Sequence, residues 1–210
     1  TKGLEETMAS SGFITFCIDP RGSANRGYEF ESAIYQQINR PQMEEYDDAL
    51  DWFLKEHEGY VDKTKLFIYG WSFGGYISLS MLLNSRHRFK LGIAGGAVVD
   101  WRYYEVMYTE RYMGERKDSE QFYEKADLKE QIGKLCTPVC LIHCDNDPVV
   151  LWQHTLSLLK KANSLNGIAP YISYYLFPGH LHNVLGRERV QLTLKIKSLN
   201  KTNEYQELKE

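Results

Sequence analysis

Apolar residues in this chain fall into two rhythms. Short runs rich in β-branched and aromatic side chains recur at 13–18, 66–69, 91–98, 138–144 and 171–177, each of strand length. Between them lie longer stretches with apolar positions three and four apart, at 42–57, 73–85, 101–113, 151–163 and 185–198, the spacing of a helix with one buried face. In the stretch 42–57, Met43, Tyr46, Leu50, Phe53 and Leu54 share one side, and Glu44, Glu45, Asp47 and Asp48 are expected to face water. Strands that alternate with helices of this length predict an α/β fold with a mostly parallel sheet flanked by helices. Pro138, Pro148, Pro170 and Pro178 punctuate the boundaries, and no linker, internal repeat or low-complexity segment interrupts the pattern. Residues 1–200 therefore read as one domain and the polar stretch 201–210 as a frayed tail.

Composition narrows the function classes. A chain of 210 residues, 43% hydrophobic and 25% charged, can bury a sizeable core, which excludes a disordered tail. Its 25 Lys and Arg against 28 Asp and Glu give a net charge of -3, so no basic excess exists to neutralise a nucleic-acid backbone or dock on anionic lipid. No apolar run approaches the roughly 20 residues of a membrane-spanning helix. The chain opens at Thr1, reaches a strand-like run a dozen residues later, and reads as a piece of something longer; a targeting segment would lie upstream, which leaves the compartment open. Cys17, Cys136, Cys140 and Cys144 are too few for a disulfide framework. Cys140 and Cys144 project to one face of a strand about 13 Å apart, too far to bridge, and are expected to be buried free thiols.

The informative run is Gly70-Trp71-Ser72-Phe73-Gly74-Gly75-Tyr76, directly after the strand-like Leu66-Phe67-Ile68-Tyr69 and before an apolar helical stretch. This is Gly-x-Ser-x-Gly in the context it requires: a nucleophile on a sharp strand-to-helix turn leaves no room for side chains two residues either side, so Gly70 and Gly74 are expected to be steric necessities. The helix behind it favours developing negative charge. A serine nucleophile needs a base, and the base an orienting carboxylate, arriving later in the chain in the order Ser, acid, His. The run ending at His143 leads into Cys144-Asp145-Asn146-Asp147-Pro148, and the run ending at Phe177 into Pro178-Gly179-His180-Leu181-His182. Both loops leave the sheet edge where such folds place their chemistry. Among the other histidines, His57, His87 and His154 read as surface or packing residues and His143 as a satisfied core histidine. Spacing does not choose between His180 and His182, nor between Asp145 and Asp147. No metal or cofactor is expected, since no His-Glu-x-x-His or Cys-x-x-Cys element is present.

Four segments together carry a family resemblance: Asp19-Pro20-Arg21-Gly22-Ser23-Ala24-Asn25-Arg26-Gly27, the serine turn, Trp101-Arg102-Tyr103-Tyr104 with Tyr108-Thr109-Glu110-Arg111-Tyr112, and Asp147-Pro148-Val149-Val150. They resemble the catalytic domain of the prolyl oligopeptidase family, dipeptidyl peptidase IV branch. Asp147-Pro148-Val149-Val150 with Trp152-Gln153-His154, and His182-Asn183-Val184, are most similar to the bacterial prolyl tripeptidyl aminopeptidases of that branch. The resemblance runs from about residue 12 to 198 and implies an α/β-hydrolase fold. It assigns the acid to Asp147 and the base to His182, leaving Asp145 and His180 as neighbours, and implies Phe73 as a backbone oxyanion donor. Trp101, Tyr104 and Tyr108 fall at i, i+3 and i+7, which by periodicity alone is a core stripe. The resemblance implies instead that they line, with Phe73, Val98 and Val150, a small pocket that receives proline ahead of the scissile bond.

The implied activity is that of a serine exopeptidase releasing N-terminal di- or tripeptides after proline, without a cofactor. Val149 stands where the dipeptidyl enzymes carry an Asn that binds the substrate carbonyl, which favours the tripeptidyl subgroup. The resemblance further implies a homodimer, an N-terminal β-propeller, and a secreted, periplasmic or cell-surface parent. It also implies that early strands of the fold and a second oxyanion donor lie upstream of Thr1, so the chain is expected to be an N-terminally truncated, partial domain with weak activity or none alone. A carboxylester hydrolase on the same fold and a non-catalytic interaction domain are the competing readings.

Overall fold

The computed structural model describes residues 3–201. Four strands, β1 (Phe67–Trp71), β2 (Leu91–Gly95), β3 (Val139–Cys144) and β4 (Ile172–Phe177), form a parallel sheet in the order β1-β2-β3-β4. Each lies within a run predicted for it or one or two residues beyond. The helices, in chain order, are α1 (Leu4–Ala9), α2 (Tyr28–Ser32), α3 (Arg40–Glu56), α4 (Phe73–Asn84), α5 (Val106–Met113), α6 (Arg116–Ala126), α7 (Leu128–Gln131), α8 (Gln153–Asn163) and α9 (Gly186–Lys201). The expected tail from residue 202 onward lies outside the described residues.

Period-two alternation in the strands sorts side chains onto two faces. Val139 and Leu141 of β3 pack with Tyr76, Leu79 and Leu83 of α4 and Leu158 of α8. Cys140, Ile142 and Cys144 face the other way, against Val184, Leu192 and Ile196 on α9 and its approach, and Met8 of α1. Both faces of the sheet are thus covered, as a parallel sheet requires. Helix α4 is buried along nearly its whole length from Gly75 to Leu83, which holds the turn before it rigidly against the sheet.

Four expectations change. The run 13–18 joins no strand ladder among the described residues. Its rings pack instead: Phe13 meets Phe67 edge-on at 5.9 Å and Phe16 stacks on Phe53 at 4.5 Å. Composition supplied the strand signal, but a strand also needs a neighbour to take its backbone N–H and C=O groups. Asp47 does not face water; it is 6% exposed because the end of α4 packs on it, where it accepts from Ser85 Oγ and, at 3.3 Å, from Arg86 N. The helix expected over 101–113 is broken. Trp101–Tyr103 form a 3₁₀ turn whose start is capped by Asp100, Tyr104 is extended, and Glu105 caps α5 by accepting from Met107 N and Tyr108 N at 2.9 Å each. The short helices α1, α2 and α7 and the longer α6 were not predicted; in α6 the buried positions Ser119, Tyr123 and Ala126 lie among charged residues.

Candidate active site

The turn after β1 is built by close backbone approach. Ser72 sits at φ 59°, ψ -120° as the residue before α4, a region side chains occupy only under constraint. Its N–H donates to Gly95 O at 2.8 Å, and its own carbonyl accepts from Tyr76 N at 3.0 Å. A strained turn bonded on both sides is over-determined by its surroundings. The Ser72 hydroxyl makes no capping bond to the helix, so it stays available. A Cβ at Gly70 would lie 2.0 Å from Gly74 O, and one at Gly75 2.8 Å from Gly95 O, whereas one at Gly74 would meet nothing within 4 Å. Gly70 is therefore obligatory as expected. The second steric necessity is Gly75, packed on β2, and not Gly74.

Asp147 follows β3 and is 4% exposed. One carboxylate oxygen accepts from the amides of Val149 and Val150 at 2.9 Å each; the other accepts from His182 Nδ1 at 2.7 Å. Burial opposes its charge, but the His182 hydrogen bond and the two amides outweigh that and hold the carboxyl below its ordinary range. With Nδ1 engaged, the neutral imidazole of His182 carries its lone pair on Nε2. Trp71, the residue before Ser72, donates its indole N–H to His182 O at 2.8 Å. Gly96, at φ 49°, keeps the space between them open, since a Cβ there would stand 3.3 Å from both His182 Cε1 and Trp71 Nε1. Asp145 and His180 lie outside this chain of contacts: Asp145 binds Gly179 N, and His180 Nδ1 accepts from Leu185 N at 3.4 Å.

His143 is the satisfied core residue expected of it. Its Nδ1 is 2.8 Å from Thr155 Oγ1, and its Nε2 is 2.8 Å from Val150 O and 3.6 Å from Asp147 Oδ2. Burial lowers its pKa, so the ring is neutral and pins the acid loop. Cys140 and Cys144 are buried and form no disulfide among the described residues, and burial followed by the Asp147 and Asp145 charges pushes the Cys144 thiol up to about 11. Among the described residues no cluster of His, Cys, Asp or Glu is placed to hold a metal ion.

The expected pocket residues gather although their helix is broken. Trp101 lies 5.8 Å from Phe73, 5.7 Å edge-on from Tyr104 and 6.0 Å in parallel with Tyr108, and Tyr104 meets Tyr108 edge-on at 5.4 Å. Trp101, Val98 and Val150 are fully buried in the core cluster against which Phe73, Tyr104 and Tyr108 pack, Tyr104 and Tyr108 are half-buried, and Val149 is 44% exposed. Burial raises Tyr104, with Glu105 and Asp147 adding to it, which puts the ring in the field of the Asp147 carboxylate. Tyr108 is pushed up to about 12 by burial and by Tyr112 and Tyr104, so both phenols stay neutral.

Sequence reasoning missed what holds Trp101 in place. Asp100 (0% exposed) and Asp127 (1%) both bind Arg102, whose Nε reaches Asp100 Oδ1 at 2.8 Å, while Lys129 Nζ lies 2.7 Å from Asp100 Oδ2. Val99 O accepts from Leu128 N at 2.9 Å. The only signal available was the pair of charges flanking Trp101, and nothing in the spacing pointed to Asp127 or Lys129 as partners. Trp71 was visible as a motif position but not as a donor.

A strained serine between a parallel strand and a buried helix, with a carboxylate and a histidine on the loops after two later strands, defines an α/β-hydrolase domain. The sequence profile of the prolyl oligopeptidase family matches residues 4–200, and the chain belongs to that family. Dipeptidyl peptidase 8 of Mus musculus is 32% identical over 184 residues, covering 85% of this chain and 20% of the relative. Among solved structures, a candidate dipeptidyl aminopeptidase IV from Bacteroides ovatus superposes with a TM-score of 0.90 at 38% identity, over 97% of this chain and 28% of that one. Dipeptidyl peptidase 4 of Porphyromonas gingivalis gives 0.85 at 26% identity, over 96% and 28%. The chain thus spans about a fifth of the length of the curated relative named here. No helix among the described residues is long and apolar enough to cross a membrane.

Proposed function

We propose that this chain is the catalytic part of a serine exopeptidase that releases N-terminal di- or tripeptides by cleavage after proline, through an acyl-enzyme on Ser72. The observation that carries the reading is the Asp147–His182 hydrogen bond of 2.7 Å, tied through Trp71 to the strained serine turn. In this mechanism His182 Nε2 takes the Ser72 proton as the hydroxyl attacks the scissile carbonyl, and returns it to the leaving amine. Asp147 keeps the imidazole in the required tautomer and stabilises the imidazolium. The backbone N–H of Phe73, first in α4 and without an intrahelical acceptor, serves as an oxyanion donor; loss of one such donor typically costs about 2.7–4 kcal/mol. Water then takes the place of the departed amine: His182 Nε2 accepts its proton as its oxygen attacks the ester carbonyl, and passes that proton to Ser72 Oγ as the acyl–oxygen bond breaks and the peptide acid leaves.

Flat aromatic faces suit a pyrrolidine ring. That supports Phe73, Tyr104 and Tyr108 as the faces that receive proline, with Trp101, Val98 and Val150 buried behind them as the pocket's backing. Val149, a side chain with no donor at the rim, supports tripeptide release over dipeptide release. The family resemblance extends the proposal to a homodimer carrying an upstream β-propeller. The test is fluorophosphonate labelling with peptide mapping, in the parent and in Ser72→Ala, followed by Ala-Ala-Pro-, Ala-Pro- and Ala-Ala-Ala-nitroanilides and a simple nitrophenyl ester. The expected result is an adduct on Ser72 that the variant lacks, with preference for the proline peptides. Labelling that survives Ser72→Ala refutes the mechanism, and a preference for the ester refutes the substrate class.

A further inference from the structure

The parallel pairing of β3 with β4 ends at Cys144 and Phe177. It cannot continue through the next residue of β4, because Pro178 has no N–H to give, and Gly179 at φ 76° turns the chain away. At this point a side chain takes over from the ladder. The first residue past β3 is Asp145, and its carboxylate accepts the N–H of Gly179 at 2.6 Å. That bond joins the two loops on which the site depends, since Asp147 lies two residues beyond Asp145 and His182 three beyond Gly179. Three residues span at most about 11 Å, so anchoring Gly179 confines where the imidazole can go.

The far end of the same turn is held by the Trp71 indole on His182 O. The turn from Gly179 to His182 is therefore clamped at both ends by side chains, one from the acid loop and one from the serine turn. Spacing made Asp145 an alternative to Asp147 for the acid; in the structure His182 Nδ1 bonds Asp147 Oδ2 at 2.7 Å, while Asp145 bonds the amide of Gly179.

We propose that Asp145 is a positioning residue for His182, a latch between the acid loop and the histidine turn that acts through Gly179 N–H. The proposal rests on the functional reading above in taking His182 as the base. What the latch supplies is an acceptor oxygen at a fixed place; its charge is secondary. Asp145→Ala removes the acceptor, and Asp145→Asn keeps one while removing the charge. Asp145 is half-buried at the surface, so neither change disturbs the core.

The experiment measures kcat and KM for Ala-Ala-Pro-nitroanilide, and hydrogen exchange by mass spectrometry in the peptide covering residues 177–185, for the parent, both variants and Ser72→Ala. The expected result for Asp145→Ala is a kcat lower by about 10–100-fold, the order expected when a reacting group is displaced by up to 1 Å, with KM little changed and faster exchange in the turn. Asp145→Asn should restore both. Parent-like kcat and exchange in Asp145→Ala overturn the proposal, and so does an Asn variant as impaired as the Ala variant. If Ser72→Ala keeps the parent's hydrolysis, the functional reading has failed instead, and exchange in the turn alone decides the latch: faster in Asp145→Ala supports it, unchanged overturns it.

Discussion

Gly70 and Gly74 hold equivalent places in the Gly-x-Ser-x-Gly pattern, yet the structure predicts opposite consequences of giving each a methyl group. At Gly70 the new Cβ would stand 2.0 Å from Gly74 O, 2.3 Å from Gly74 C and 2.7 Å from Ser78 Oγ. The nearest of these is short of a normal contact by well over 1 Å, and the atoms met first are backbone at the start of a buried helix. Neither side can yield without moving Ser72. Overpacking of this kind costs typically 1–3 kcal/mol, and with backbone on both sides about 3 kcal/mol is expected. For a domain of this size that corresponds to a fall in Tm of roughly 6–12 °C. A displacement of the nucleophile by up to 1 Å should also slow fluorophosphonate labelling by about 100-fold.

Gly74→Ala should do neither. Its Cβ meets nothing within 4 Å, its φ is not in the left-handed region, and a helical Gly→Ala change gains up to about 1 kcal/mol. Thermal melts and labelling rates of the two variants, run side by side, test the argument. Gly70→Ala with parent-like melting and labelling would refute it, as would Gly74→Ala with losses like those of Gly70→Ala.

Two further predictions concern buried charge. Arg102→Met leaves Asp100 and Asp127 buried with Lys129 as their remaining cation, and breaking such a network should cost about 3–5 kcal/mol in urea unfolding at pH 7. Adding Asp127→Asn, whose carboxyl is already pushed up by burial and by Asp100, should recover part of that loss; a cost under about 1 kcal/mol would show that the network contributes little. His154 is fully buried with Nδ1 accepting from Val99 N at 3.2 Å, and burial, then His143, lowers its pKa to about 4. Because the folded value lies below the unfolded one of about 6.5, its contribution is fully present above pH 6.5 and is lost as pH falls toward 4, a decline of about 3 kcal/mol. His154→Gln should flatten that part of the urea-stability profile between pH 7 and 4, and an unchanged slope would refute the assignment.

The four sheet strands and the helices around Ser72 were legible because their signals are short-range. A period of two, a period of 3.6 and a glycine on either side of a serine are each complete within a few residues. Candidates for the acid and the base were legible for the same reason, as polar residues just past a strand, although spacing left two of each, and family resemblance was needed to choose the pair proposed here, Asp147 and His182, which the structure finds hydrogen-bonded. The run at 13–18 misled by the same logic, since composition reports how a strand is made and not whether another lies beside it. Periodicity placed Trp101, Tyr104 and Tyr108 on one continuous helix; the three rings do meet, but across a break, because the caps at Asp100 and Glu105 outweighed continuous periodicity.

What no pattern could supply is the identity of partners far apart in the chain. Trp71 and His182 are separated by 111 positions, Asp145 and Gly179 by 34, and Arg102 and Asp127 by 25. The first two pairs exist because parallel strands bring their C-terminal ends to one edge, where residues from different strands meet; the third folds the long connection between β2 and β3 back on itself. Gly75 belongs with them: it is required by the close approach of α4 to Gly95 and Ala97 at the end of β2, not by its place in the motif. Local side-chain chemistry is written in the order of the residues, whereas the contacts that hold it in register depend on which strand lies next to which.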